Sequence, residues 1–285
     1  MHSNPNLFAS INQEVMPLDR AFLHVSDLSI QRGYGVFEYC KVHQDHPFFL
    51  EDYLDRFYNS AALMELTIPY SRESLKLVIE ELTQKNNLPV SGIKMILTGG
   101  YSATGYEPEE PNLIITQQPL SMPTQEQLDR GFKIISHEYM REVPHAKTIN
   151  YSIGIRLIKK IKEKGADDVL YQQQGVVSEF PRCNFFIVKQ DNTIVTPAKN
   201  VLPGITRKNV LNLAARKFKV EEGTVTLEDI ARAKEAFLTS TTKRIVPIVQ
   251  LDETIIGNGK PGAVTLGLLE DLVMLEKEQL ALVKK

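Results

Sequence analysis

The sequence has no tryptophan and only two cysteines, Cys40 and Cys183, among 285 residues. Neither cysteine belongs to a C-x-x-C pair, which excludes a zinc ribbon, a redox couple and a disulfide scaffold. Two unpaired thiols suit a reducing compartment, so a cytoplasmic protein is expected. No apolar run approaches the roughly 20 residues of a membrane span. The opening Met1-His2-Ser3-Asn4-Pro5-Asn6 lacks the basic and apolar regions of a secretory signal. Neither sign of charge dominates: 33 Lys+Arg against 35 Asp+Glu leave a net charge of −2. That balance gives no bulk affinity for nucleic acid or an acidic membrane. Also missing are H-E-x-x-H and comparable metal-ligand clusters, the G-x-S-x-G nucleophile elbow and the G-K-[ST] of a P-loop. No metal is expected.

What is present is an ordinary globular composition, 42% hydrophobic and 24% charged. The length suits about two domains of roughly 150 residues each. Val36 to Val42 alternates as a strand, Gln44-Asp45-His46-Pro47 is a turn, and Phe48-Phe49-Leu50 is expected to return as the partner strand. Leu50, Leu54, Phe57, Ala61 and Met64 then fall on one helical face. A second helix is expected over 71–86 with Ser71 as N-cap, followed by short strands at 93–97 and 113–116. Two prolines and polar flanks in Gln117 to Thr124 mark a boundary. It divides the chain into an N-terminal α/β domain over 1–118, a linker over 119–127 and a C-terminal domain over 128–285. In the second half the pattern gives helices at 150–164, 206–218 and 261–283. Strands are expected at 132–136, 168–171, 184–189, 193–196, 236–239 and 246–250. Helices and strands alternate throughout, so the class is α/β or α+β.

Gly257-Asn258-Gly259-Lys260-Pro261-Gly262 fits G-x-G-x-x-G literally. Only one helix follows it, with no second parallel strand, so it reads as a turn rather than a dinucleotide site. Three other features carry possible chemistry. Lys147 lies just before a helix in a stretch with few charges. A partly desolvated lysine there could form a Schiff base, and a surface lysine is the plain alternative. Glu179 ends an apolar stretch, where a buried acid needs a cationic or protonated partner. A pyridinium nitrogen would serve, as would Arg182 or another base. Leu202-Pro203-Gly204-Ile205-Thr206-Arg207 leads into a helix whose backbone N–H groups could bind an anion, and Ser240-Thr241-Thr242 offers hydroxyls at a strand end. Each of these two segments alone is an ordinary cap or turn. Together they suit a phosphate.

In this order the segments resemble the fold-type IV, or class IV, pyridoxal-phosphate aminotransferases. That family includes branched-chain and D-amino-acid aminotransferases and aminodeoxychorismate lyases. The resemblance runs from Arg32-Gly33-Tyr34-Gly35-Val36-Phe37-Glu38 to the Gly257–Gly262 loop. It is most specific at Leu54-Asp55-Arg56-Phe57, at Glu179 with Asn184, at Leu202 to Arg207, and at Thr239 to Thr242. It implies a smaller N-terminal and a larger C-terminal domain with pyridoxal 5'-phosphate between them, in a homodimer with shared active sites. It further implies that Lys147 is the Schiff-base lysine and that Glu179 keeps the pyridine nitrogen protonated. Arg56, the N–H groups after Gly204 at Ile205 and Thr206, and the turn Ser240, Thr241 and Thr242 would hold the phosphate. Leu202 would pack on the ring face, and Tyr151 would sit near the phenolic oxygen.

The sequence departs from the family at Phe180-Pro181-Arg182-Cys183, where small and polar residues are usual. It departs again at Gly99-Gly100-Tyr101, where D-amino-acid members carry R-x-H for the substrate carboxylate. Lys94 and Arg32 fall where they could replace that clamp, and Phe37 falls where it would line the substrate pocket. The plain alternatives are a solvent-facing strand lysine for Lys94, a turn residue paired to Asp27 or Glu38 for Arg32, and a core position for Phe37. The expected activity is a transaminase acting on an amino acid and a 2-oxo acid, with D-amino acids slightly favoured over branched-chain L-amino acids. Aminodeoxychorismate lyase and a non-catalytic fold-mate are the alternatives.

Overall fold

The computed structural model describes residues 7–283, so the opening six residues read above for targeting lie outside the described residues. The chain forms two compact units. One runs up to Ser121 and adds His145–Asn150; the other takes Met122–Pro144 and continues from Tyr151.

The first unit contains β1 (Phe8–Ile11), β2 (Glu14–Pro17), α1 (Leu28–Gln31), β3 (Gly35–His43), β4 (His46–Pro47), α2 (Leu50–Leu63), α3 (Arg72–Asn86), β5 (Val90–Thr98) and β6 (Leu113–Pro119). Its strands form one six-stranded antiparallel sheet in the order β2-β1-β6-β5-β3-β4. Successive strand residues face opposite sides. Val36, Glu38, Cys40 and Val42 are therefore buried on one side of β3, while Phe37 and Tyr39 are half-buried on the other. Tyr39 pairs with Lys94 of β5, which places Lys94 on the Phe37 side. Helices α2 and α3 lie on the Glu38 side, where Arg56 of α2 bonds Glu38 and Asn86 of α3 bonds Gln117 of β6.

Ser71 caps α3 as expected, accepting from the Ser74 N–H at 3.1 Å. The return strand differs from expectation. It is His46–Pro47, and Phe49 sits at φ 51° as the N-cap of α2, so Leu50 already belongs to the helix. Lys147 also lies elsewhere than the boundary suggested, because His145–Asn150 packs with the first unit although it falls within 128–285. The cause is backbone pairing with the edge of β3. Phe37 N–H donates to the Lys147 carbonyl at 2.8 Å, and Ile149 N–H donates to the Gly35 carbonyl at 3.1 Å.

The second unit contains α4 (Gln125–Arg130), β7 (Phe132–Glu138), α5 (Ser152–Arg156), α6 (Ile158–Glu163), β8 (Asp168–Gln173), β9 (Val176–Val177), β10 (Asn184–Val188), β11 (Ile194–Pro197), α7 (Ile205–Ala214), β12 (Val220–Gly223), α8 (Leu227–Ala231), β13 (Glu235–Ser240), β14 (Arg244–Leu251), β15 (Thr254–Ile255) and α9 (Ala263–Val283). The helix expected over 150–164 is two short helices meeting at Leu157. Nine strands form a mixed sheet, parallel at β7–β8, β7–β14 and β11–β12. β10 is buried along its whole length. Phe185 joins a core cluster with Phe132, Leu170 and Leu238, whereas Phe186 joins another with Val210, Leu213 and Leu268. The second cluster lies under α7 and α9. A strand covered on both faces needs an unbroken apolar run, which Phe185-Phe186-Ile187-Val188 supplies.

The glycine loop before α9 is a turn with Gly257 at φ 56° and Gly259 at φ 74°. A Cβ at Gly262 would fall 1.9 Å from the carboxyl carbon of Glu235. That buried carboxylate accepts from the N–H groups of Val264 at 3.1 Å and Thr265 at 2.8 Å. It fills the place at the helix start where a nucleotide phosphate would bind. No helix among the described residues is long and apolar enough to cross a membrane.

Candidate active site

The expected site residues fall into two sets, one on each unit. On the first unit, Arg56 projects from α2 onto β3. Its Nε lies 2.9 Å and its Nη2 2.6 Å from the two carboxylate oxygens of Glu38, and both side chains are buried. A bidentate fork of this kind fixes the guanidinium plane. Glu38 had a sequence signal of its own, an acid on the apolar side of an alternating strand, which demands a cation.

Lys147 is half-buried, and its Nζ lies 4.5 Å from the centre of the Phe37 ring. Its own N–H donates to Ser60 Oγ at 3.1 Å, so its backbone is anchored on both β3 and α2. Lys94 approaches the same ring from β5, with Nζ at 5.1 Å. Burial pushes the Lys94 ammonium below the ordinary lysine range. Among the described residues no carboxylate pairs with Lys94. Arg32 is exposed and donates to the Gln31 carbonyl at 2.9 Å. It pairs with neither of the acids considered for it. Glu38 is committed to Arg56, and Asp27 accepts from Ser29, Thr98 and Asn112.

On the second unit, Glu179 is buried and its partner base is Arg141 rather than Arg182. Arg141 carries no local mark in the sequence. Asn184, the first residue of β10, ties this acid to the loop before α7. Its Nδ2 donates to Glu179 Oε2 at 3.2 Å and to the Leu202 carbonyl at 2.8 Å. The Leu202 N–H donates to the same Glu179 oxygen at 2.9 Å. The unusual Phe180-Pro181-Arg182-Cys183 forms a tight turn closed by Phe180 N–H on the Cys183 carbonyl at 2.9 Å. The turn keeps Asn184 beside Glu179 despite the departure in sequence. Tyr151 is half-buried at the start of α5.

Helix α7 begins after Gly204 with no side chain capping it. It shares this with α2, α5 and α6, whereas α3, α4 and α8 are capped by Ser71, Thr124 and Thr226. The first-turn N–H groups at Ile205 and Thr206 therefore suit an anionic ligand. Gly204 is required by close approach, since a Cβ there would lie 1.9 Å from Asn184 Oδ1. Ser240, Thr241 and Thr242 lead from β13 into the turn before β14, with Ser240 Oγ 3.5 Å from Thr242 Oγ1. Lys243, next in the turn, is drawn to Asp168 at 3.3 Å. Among the described residues Thr239 Oγ1, like Ser10 Oγ of β1, is buried without a hydrogen-bond partner, and it lies directly across the β10–β13 ladder from Asn184. An orphaned buried hydroxyl costs about 1–3 kcal/mol, which a further polar group at this corner would relieve.

An uncapped helix start suits a phosphate. A buried acid held as an anion suits a protonated ring nitrogen, and a half-buried lysine suits an aldehyde. A protein that carries all three is equipped for pyridoxal 5'-phosphate. The chain belongs to the Amino-transferase class IV family, which it matches over residues 35–251. It is a pyridoxal-phosphate-dependent aminotransferase of fold-type IV. The D-alanine aminotransferase of Bacillus licheniformis is 28% identical over 260 residues, 89% of this chain and 92% of that protein. A putative branched-chain-amino-acid aminotransferase of Methanocaldococcus jannaschii is 30% identical over 259 residues, 88% of this chain and 90% of that one. Among solved structures, the branched-chain amino acid aminotransferase of Escherichia coli matches with a TM-score of 0.88 at 25% identity, over 95% of this chain and 94% of that one.

Gly204→Ala should weaken cofactor binding while the protein still folds. The new methyl must displace Asn184, and overpacking of this kind costs about 1–3 kcal/mol, or roughly tenfold or more in affinity. Titration of the apo-protein with pyridoxal 5'-phosphate would show it. Unchanged affinity would separate Asn184 and the α7 start from the cofactor.

Proposed function

We propose that the protein moves an amino group between an amino acid and a 2-oxo acid such as 2-oxoglutarate, with D-amino acids slightly favoured over branched-chain L-amino acids. When bound, pyridoxal 5'-phosphate supplies the electron sink that makes the amino acid's α-proton removable. Lys147 holds the cofactor and, once released, moves a proton at the substrate α-carbon as base and then acid. Glu179 would meet the ring nitrogen, Leu202 would pack on the ring, and Tyr151 would serve the phenolic oxygen. Arg56, Ile205, Thr206, Ser240, Thr241 and Thr242 would hold the phosphate. Phe37 lines the substrate pocket, and Lys94 with Arg32 takes a substrate carboxylate.

The observation that carries the carboxylate-binding part of this reading is Lys94. Its half-buried ammonium sits over the ring that Lys147 also touches, and among the described residues no carboxylate answers it. Such a cation gains more from an incoming carboxylate than a solvated one would. The holo-protein's visible absorbance, followed while D-alanine, D-glutamate, L-leucine or L-glutamate is added, tests the donor. A response to the D-amino acids supports the reading; a response to L-leucine alone moves it to a branched-chain enzyme. Silence toward every donor favours the lyase. Lys94→Ala should raise KM for 2-oxoglutarate by about tenfold with little change in kcat, the mark of lost ground-state binding.

The protein is further read as a homodimer. Phe22, Val25, Ile30 and Tyr106 are all more than half exposed in the first unit, large apolar side chains that a subunit contact would cover. Light scattering in solution tests this, and a monomer would remove it.

A further inference from the structure

Glu179 is held more completely than an ion pair requires. Its Oε1 accepts Nε of Arg141 at 2.8 Å and Nη2 at 2.7 Å. Its Oε2 accepts the Leu202 N–H at 2.9 Å and Nδ2 of Asn184 at 3.2 Å. All four contacts are N–H donors, and donors on both oxygens favour the ionised carboxylate over the protonated one. Both donors on Oε1 belong to Arg141, whose Nη2 is also fastened to the Pro144 carbonyl. The side chains of Arg141 and Glu179 are 12% and 5% exposed, so water screens the pair little.

We propose that Arg141 is a positioning residue for the cofactor's ring nitrogen: it fixes both the place and the charge of Glu179, so that the nitrogen meets an anion that does not take its proton. The inference rests on the assignment of Glu179 to that nitrogen. Arg141 touches no reacting atom in this scheme and acts only through Glu179.

The test uses the apo-protein and two probes, pyridoxal 5'-phosphate and its 1-deaza analogue, in which carbon replaces the ring nitrogen. Binding is followed by tyrosine fluorescence and by visible absorbance. Arg141→Met should weaken pyridoxal 5'-phosphate by about ten- to a hundredfold, the loss usual when an outer partner of a liganding group is removed. Affinity for the 1-deaza analogue should stay near the wild-type value. Arg141→Lys, which keeps the charge without the fork, should recover part of the loss. In a Glu179→Gln background, Arg141→Met should add nothing, because the two act as one unit.

Equal losses for both probes, full additivity in the double variant, or no loss at all would each overturn the proposal. A wild-type protein that binds both probes equally would instead remove the assignment of Glu179 to the ring nitrogen. Thermal unfolding without ligand measures what each substitution costs the fold. Should Arg141→Met fail to fold, Arg141→Lys carries the same comparison.

Discussion

Lys147→Ala is expected to lower the rate of transamination by at least about 10⁴-fold, since on the reading proposed here it removes both the covalent anchor and the general base. It should do so with little loss of stability. Its backbone contacts to Phe37 and Ser60 stay in place when the side chain is shortened. The side chain's place over the Phe37 ring is worth about 0.5–2 kcal/mol. The visible band of lysine-bound cofactor should vanish while the thermal unfolding curve stays nearly in place. Added amines that restore part of the activity would fit the same role. A variant that retains both band and turnover would show that another group carries the cofactor.

The second large effect concerns Arg56. Arg56→Met leaves the fully buried Glu38 without its cation. Removing one partner of a buried pair costs about 3–5 kcal/mol, which for a chain of this size lowers Tm by roughly 6–20 °C. Cofactor affinity should fall as well, but instability alone could mimic that. The double variant Glu38→Leu/Arg56→Met separates the two effects. Replacing a buried pair by apolar groups of similar volume is often neutral or stabilising, so Tm should largely recover. Affinity for pyridoxal 5'-phosphate should not. If affinity returned with Tm, Arg56 would hold the fold and not the phosphate.

How far the sequence could be read depends on whether each signal was local. The alternation in Val36 to Val42, the helical face from Leu50 to Ala61 and the Ser71 cap are set by neighbours within a few residues, and each emerged close to expectation. So did the apolar run of β10 and the turn at Gly257–Gly262. Long-range pairing was not legible. Nothing around Lys147 says that its strand-like segment lies along β3, because that depends on hydrogen bonds to residues more than a hundred positions earlier. Arg141 likewise sits among ordinary loop residues, and only its distance to Glu179 gives it meaning. Glu38 was half legible. Its burial could be inferred from the alternation, but two arginines, Arg32 and Arg56, were within reach, and only the helix-covered side of the sheet chooses between them.

The way His145–Asn150 is shared out has a consequence for anyone who would cut the protein in two. Expressing the chain up to Ser121 alone would yield a piece without its amine and with the backbone of Gly35 to Phe37 unpaired along one margin. An open strand margin is a template for joining other chains, so that fragment should clump rather than stay monodisperse. The remainder would keep the lysine on a tether with nothing to lie against. A clean dissection would have to graft the six residues onto the first piece, as a short added strand, before either half could be studied by itself.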